Sequence, residues 1–165
     1  MKYASDQLTL HLADEQATVA VGLALGRAAA GGGIVFLEGV LGAGKTTLCR
    51  GILRAFGYQG AVKSPTYTLV EAYALESRRV YHFDLYRLGD PEELEYLGIR
   101  DYFLGNHLCL IEWPERGTGF LPAADLRVKV TVAAAARNLQ ISAHSAAGRA
   151  ILRRLKQHLS CSNNT

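Results

Sequence analysis

The residues with the clearest chemical meaning form a loop in which three glycines precede a lysine and a threonine. Gly39, Gly42 and Gly44 allow a tight turn that brings several backbone N–H groups toward one point. A helix that begins at Lys45 adds its positive N-terminal end, and this arrangement binds phosphate. The spacing predicts a P-loop, in which Lys45 contacts the β and γ phosphates and the Thr46 hydroxyl completes the shell of Mg²⁺.

The sequence on either side of this loop predicts the strand and the helix that a P-loop requires. Residues 34–37, Ile-Val-Phe-Leu, form a short apolar run bounded by glycines, which is typical of a strand buried on both faces of a parallel sheet. Between positions 45 and 56 apolar residues recur at helical spacing, and Gly57 ends the pattern. Strand, loop and helix in this order predict a three-layer α/β domain of the P-loop NTPase fold that binds ATP and Mg²⁺.

Three acidic residues, Glu38, Asp84 and Glu112, compete for the position that such sites reserve for a carboxylate beside the metal. Glu112 directly follows the apolar run 108–111, which puts its carboxylate at the C-terminal edge of a strand, where ligands collect in open α/β sheets. We therefore assign Mg²⁺ to Thr46 and Glu112. Glu38 precedes the loop within its own strand, and a role at a buried edge or as a cap is the better interpretation.

Asp84 lies inside an apolar strand, where a carboxylate is costly unless it is paired, binds metal or accepts a proton. A functional role is favoured, with a salt bridge to Arg79 or Arg87 as the alternative. Thr66 belongs to a Ser-Pro-Thr loop, and its hydroxyl could sense the γ phosphate as switch threonines do. A single tryptophan such as Trp113 is more often a core residue than a ligand contact, but its neighbour Glu112 strengthens the case for a ligand contact.

The remaining segments predict a mostly parallel sheet with helices on both faces and an antiparallel pair of strands near the C-terminus. Asp14 is placed to cap a helix that reaches about residue 30, and Asp90 to cap another with Pro91 at its first position. Predicted strands cover 8–12, 80–86 and 107–111, a loop entering a strand covers 64–70, and the antiparallel pair covers 126–132 and 138–142. A helix over 146–159 closes the domain, with a disordered tail from about 160 to 165.

The composition is that of one globular domain. Of 165 residues, 49% are apolar and 20% are charged, far from the composition of disordered chains. The net charge of +3 is too small to indicate nucleic acid as a direct, tightly held ligand. The three cysteines match neither zinc-site nor CxxC spacing, and no run resembles a signal peptide or a membrane span. We expect a single domain in the cytoplasm, without membrane association.

Four segments, taken in order, closely resemble the TsaE family, also called YjeE. They are residues 39–47, 64–70, 82–87 and 111–113, and the match spans about residues 5 to 150. The resemblance implies the ATPase component of the bacterial machinery that installs threonylcarbamoyladenosine beside the anticodon of tRNAs that read codons beginning with A. It implies TsaD and TsaB as partners, tRNA reached only through that complex, and ATP hydrolysis that resets the complex between modification cycles.

The same resemblance assigns roles to individual residues. It places the phosphates on Gly42, Ala43, Gly44, Lys45, Thr46 and Thr47, Mg²⁺ on Thr46 and Glu112, and switch-like roles on Ser64, Thr66 and Thr68. Asp84 is similar to an acid that orients water or metal, so Lys45 and Asp84 are the expected catalytic residues. Trp113 resembles an aromatic residue near the nucleotide, and Glu15 and Arg137 are implied as further nucleotide contacts. Val40 departs from the family pattern, in which Asp is frequent, but its side chain is expected to point away from the phosphates.

Other function classes share this loop. A small-molecule kinase would add a lid with catalytic arginines, but no lid is evident, and Arg78, Arg79 and Arg116 lie in short polar stretches. A GTPase usually carries an Asn-Lys-x-Asp segment, which this sequence lacks. The serious rival is a nucleotide-switched binding module, because hydrolysis without a partner can be very slow. Turnover that rises when the partner complex is added favours the ATPase, whereas phosphate on a small acceptor favours the kinase.

Overall fold

The computed structural model describes residues 6–76 and 78–162, which form seven strands, five α-helices and one 3-10 helix. The strands are β1 (Gln7–Leu12), β2 (Gly33–Glu38), β3 (Val70–Ala74), β4 (Arg79–Asp84), β5 (Leu108–Glu112), β6 (Leu126–Ala133) and β7 (Ala136–Ala143). The α-helices are α1 (Glu15–Ala28), α2 (Lys45–Arg54), α3 (Glu93–Tyr96), α4 (Ile99–Tyr102) and α5 (Ala146–Ser162), and the 3-10 helix is Pro114–Gly117. Within this part of the chain, no helix combines the length and the apolar character that crossing a bilayer requires.

All seven strands form one mixed sheet in the order β1-β7-β6-β2-β5-β4-β3. The four central strands, β6, β2, β5 and β4, are parallel, and β1, β7 and β3 are antiparallel to their neighbours. The predicted α/β class and the antiparallel C-terminal pair are confirmed, and the sheet adds antiparallel edges at β1 and β3. In register, Glu112 lies between Leu37 on one side and Asp84 on the other. The C-terminal ends of β2, β5 and β4 therefore meet at one edge of the sheet.

Helices cover both faces of the sheet, but unequally. Alternate residues of β2 point to opposite sides, so that Val35 and Leu37 pack with α1, α2 and α5, while Phe36 packs with the residues around α3 and α4. The three long helices therefore lie on one face. The two single-turn helices, α3 and α4, and the loops around them cover the other face.

The predicted N-cap residue is correct for α1 and wrong for α3, which begins at Glu93 with Glu92 in place of Asp90 at the N-cap. Asp14 caps α1 by accepting a hydrogen bond from the backbone N–H of Ala17 at 2.8 Å, as predicted. Helix α5 continues to Ser162, so residues 160–162 are helical and the prediction of a disordered tail is wrong for them. No Gly or Pro interrupts this segment after residue 149, and the Ser160 hydroxyl donates to the Lys156 carbonyl at 2.9 Å. The last part of the predicted tail, 163–165, lies outside the described residues.

Helices α1 and α2 approach each other at two glycines. A Cβ atom on Gly22 would stand 2.5 Å from the carbonyl oxygen of Leu48 and 2.9 Å from the Cα atom of Gly51. Backbone atoms cannot yield to such a contact as a flexible side chain would. The two glycines thus hold α2, and the loop at its N-terminal end, close against α1.

We expect Gly22→Ala to lower the free energy of unfolding by at least about 1 kcal/mol, because overpacking outweighs the roughly 1 kcal/mol that Ala gains over Gly inside a helix. Gly31→Ala is the matched control, since a Cβ atom there meets nothing within 4 Å. Urea unfolding followed by circular dichroism measures both variants. Equal unfolding free energies for the two would contradict the close packing of α1 on α2.

Candidate functional site

The glycine loop leads from β2 directly into α2, as the spacing predicts. Gly44 occupies the N-cap position with a left-handed φ of 112°, and no side chain caps the helix. Gly39 and Gly42 also have positive φ angles, of 151° and 76°. The first N–H groups of α2 therefore stay available to an anion, and the helix dipole adds to their attraction for phosphate.

The side chain of Lys45 lies beneath this loop and is only 5% exposed. Its ammonium group donates to the carbonyl oxygen of Gly39 and stands 4.0 Å from the centre of the Trp113 ring. Burial lowers the pKa of Lys45, while the carboxylates of Glu112 and Asp84 oppose that change. The ammonium still has free N–H donors for anionic oxygen atoms, because an ammonium group carries three.

A hydroxyl and a carboxylate meet beside the first turn of α2. The Thr46 hydroxyl stands 3.5 Å and 3.3 Å from the two carboxylate oxygens of Glu112, which is 3% exposed. Both groups offer the hard oxygen ligands that Mg²⁺ prefers, and both lie next to the open N-terminus of α2. This donor set fits a magnesium ion bound together with phosphate oxygens.

Asp84, at the end of β4, is hydrogen-bonded to the loop that precedes β3. Its Oδ2 atom accepts hydrogen bonds from the Ser64 hydroxyl and, at 3.3 Å, from the Thr66 hydroxyl. Its Oδ1 atom accepts from the backbone N–H of Tyr86 at 2.9 Å. Among the described residues, Asp84 forms no ion pair with an arginine, so these contacts offset its burial in place of the alternative salt bridge. The arrangement joins Asp84, Ser64 and Thr66 into one unit beside Glu112.

Most of the predicted site residues surround a single cleft of about 250 Å³. They are Gly42, Ala43, Gly44, Lys45, Thr46, Thr47, Ser64, Thr66, Asp84, Glu112 and Trp113, together with Leu41 and Tyr86. Thr68 is exposed and does not line this cleft. Glu38 does not line it either, since its carboxylate pairs with Arg127 at 2.7 Å. A cleft with an open helix N-terminus, a buried ammonium and a hydroxyl–carboxylate pair can hold a triphosphate with its metal ion.

Comparison with known proteins identifies the family of this chain. A family model described as threonylcarbamoyl adenosine biosynthesis protein TsaE matches residues 12–140. The chain belongs to the TsaE family. Proteins of this family take part in tRNA threonylcarbamoyladenosine biosynthesis. The resemblance predicted from the four sequence segments is therefore confirmed.

Individual relatives of this TsaE family member cover most of its length. The tRNA threonylcarbamoyladenosine biosynthesis protein TsaE of Haemophilus influenzae is 56% identical over 119 residues, which are 72% of this chain and 75% of that protein. The protein of the same name from Nostoc is 37% identical over 131 residues, 76% of this chain and 80% of its own. The crystal structure of Bacillus subtilis YdiB superposes with a TM-score of 0.78 at 27% identity, covering 95% of this chain and 99% of that one.

Two predicted nucleotide contacts of the TsaE chain, Glu15 and Arg137, lie in a neighbouring pocket of about 190 Å³ on the other side of the loop. Arg137 projects from β7, and its Nε atom donates to the carbonyl oxygen of Ala43 at 2.7 Å. Glu15 pairs with Arg50 of α2. Both residues are therefore near the loop, but Arg137 uses its guanidinium to support the loop backbone, which the sequence did not indicate.

His82 is a site residue of this TsaE protein that the sequence analysis missed. Its Nε2 atom lies 2.6 Å from Oε2 of Glu112, and its side chain is fully buried. A signal was present, because His82 stands two residues before Asp84 and so faces the same side of its strand. The partner of His82 could not be found in this way, since it belongs to another strand.

Proposed function

We propose that this TsaE family member binds Mg²⁺ and ATP in the cleft above α2 and hydrolyses ATP, slowly alone and faster with TsaD and TsaB. In this proposal the hydrolysis supports the formation of threonylcarbamoyladenosine on tRNA in the cytoplasm, and tRNA is reached only through the partner complex. The observation that carries the proposal is the contact of the Thr46 hydroxyl with the Glu112 carboxylate, 3.3 Å apart, at an uncapped helix N-terminus.

Each group in the cleft has a task in this reaction. The N–H groups of the loop and the Lys45 ammonium bind the phosphates. Thr46 and Glu112 would hold Mg²⁺, whose positive charge would stabilise the negative charge that develops on the transferred phosphoryl group. Asp84 accepts a hydrogen bond from the attacking water and orients it. Ser64 and Thr66 already donate to Asp84, so that a change at the γ phosphate is transmitted to their loop.

The experiment that tests this proposal is ATP hydrolysis by the purified chain with and without TsaD and TsaB of the same source. We expect a low rate for the chain alone and a higher rate with both partners, after subtraction of what the partners hydrolyse by themselves. Labelled phosphate recovered on a small-molecule acceptor would instead identify a kinase. A rate that does not respond to the partners would contradict the proposed coupling.

A further inference from the structure

A buried polar contact lies directly behind the proposed metal ligand. His82 is 0% exposed and Glu112 is 3% exposed, and Nε2 of His82 stands 2.6 Å from Oε2 of Glu112. No hydrogen-bond partner for the other ring nitrogen, Nδ1, is present among the described residues. Among the described residues, the hydrogen bond with Glu112 is therefore the only one that the imidazole ring of His82 makes.

The direction of this hydrogen bond follows from the chemistry of its two groups. An ionised carboxylate can only accept, so a Glu112 that binds a cation requires a proton on Nε2 of His82. The Nε2–H group of His82 therefore donates to Oε2 of Glu112.

A metal site is the alternative for this cluster, because ligand atoms of Cys49, His82 and Glu112 lie within 4.8 Å of one another. One observation counts against it. The gap of 2.6 Å between Nε2 and Oε2 fits a shared proton and is too short for two ligands of one cation.

We propose that His82 is a positioning residue, whose Nε2–H group holds the Glu112 carboxylate in the orientation that binds Mg²⁺. This inference rests on the proposed function, since it needs Glu112 as a metal ligand. The hydrogen bond engages Oε2 and restrains rotation of the carboxylate. The Thr46 hydroxyl lies 3.3 Å from Oε2 and 3.5 Å from Oε1. Hydrogen bonds from such outer residues orient ligating carboxylates and tune their affinity for metal.

Two amides at position 82 form a matched pair that tests the proposal. In His82→Gln the amide nitrogen occupies the place of Nε2 and reaches Glu112, whereas in His82→Asn it occupies the place of Nδ1 and does not. The readout is the affinity for Mn²⁺, a spectroscopic substitute for Mg²⁺, measured by electron paramagnetic resonance with a non-hydrolysable ATP analogue bound. We expect His82→Asn to weaken Mn²⁺ binding by about 10- to 100-fold and His82→Gln to stay close to wild type.

Cys49→Ala controls for a change of packing in the core around His82 and Glu112. Cys49 is also 0% exposed and lies beside these two residues, but it has no role in the proposed mechanism. This variant should bind Mn²⁺ as the wild type does. All proteins are compared at a temperature at which circular dichroism shows them folded. Wild-type affinity in His82→Asn, or an equal loss in the Asn and Gln variants, would overturn the role of His82. If the wild type itself bound no Mn²⁺ with the nucleotide, that result would contradict the proposed function and not only the role of His82.

Discussion

Lys45→Ala is expected to weaken ATP binding by about 10- to 150-fold and to abolish measurable hydrolysis. Among the described residues that line the cleft, Lys45 has the one cationic side chain, and its ammonium lies beneath the glycine loop. A hydrogen bond to a charged group contributes about 1.5–3 kcal/mol, and each 1.4 kcal/mol corresponds to a factor of about ten in affinity. The alanine leaves the backbone N–H groups in place, so residual binding of phosphate remains.

Isothermal titration calorimetry with ATP and Mg²⁺ measures this loss. Lys129→Ala is the matched control, since Lys129 is exposed on β6 and lies outside the cleft. Its affinity should equal that of the wild type. Thermal unfolding of both variants checks that the fold is retained. An unchanged affinity in Lys45→Ala would show that ATP does not bind at this loop.

Asp84→Asn is expected to slow hydrolysis by about 100-fold or more while ATP affinity stays near the wild-type value. General-base and water-orienting groups contribute about 10²- to 10⁴-fold to such rates. The amide oxygen can still accept hydrogen bonds from Ser64 and Thr66, so the loop keeps its attachment, but the amide nitrogen that replaces Oδ1 cannot accept from the backbone N–H of Tyr86. The amide also lacks the negative charge that draws a proton from water.

Single-turnover hydrolysis and calorimetric binding of ATP, compared in the same variant, separate the two effects. Asp101→Asn provides the control, because it makes the same chemical change on an exposed residue of α4. Its rate and its affinity should both be unchanged. An equal loss of rate and of binding in Asp84→Asn would remove Asp84 from the catalytic step and make it a binding or structural residue.

The cleft could be predicted from the sequence because its parts are carried by local patterns. The glycine spacing defines the loop, and the apolar run before Glu112 predicts a strand that ends at this acid. The strand predicted over 80–86 ends earlier than expected, at Asp84. Parallel strands place such ends at one edge of a sheet, and the register of β4 with β5 does bring Asp84 beside Glu112. Thr68 shows the limit of this approach, since the turn of its own loop leaves it exposed and outside the cleft.

The remaining contacts join residues that are distant in the sequence. His82 contacts Glu112, which is 30 residues away in the sequence, and Arg137 contacts the carbonyl of Ala43, which is 94 residues away. Such pairs depend on the order and register of the strands. The pairing of β6 with β7 was predicted, but the position of β6 next to β2 in the sheet was not encoded in any local pattern. The approach of α1 to α2 likewise depends on tertiary packing, although the glycines that permit it are visible in the sequence.

The most direct measurement is the threonylcarbamoyladenosine content of tRNA from cells in which this chain replaces a depleted resident TsaE. Mass spectrometry of digested tRNA gives the modified fraction, and immunoblotting gives the amount of each protein. We predict that the wild-type chain restores the modification and that Lys45→Ala, at equal abundance, does not. Restoration by Lys45→Ala, or failure of an abundant wild-type chain to restore it, would contradict an ATP-dependent role in this modification.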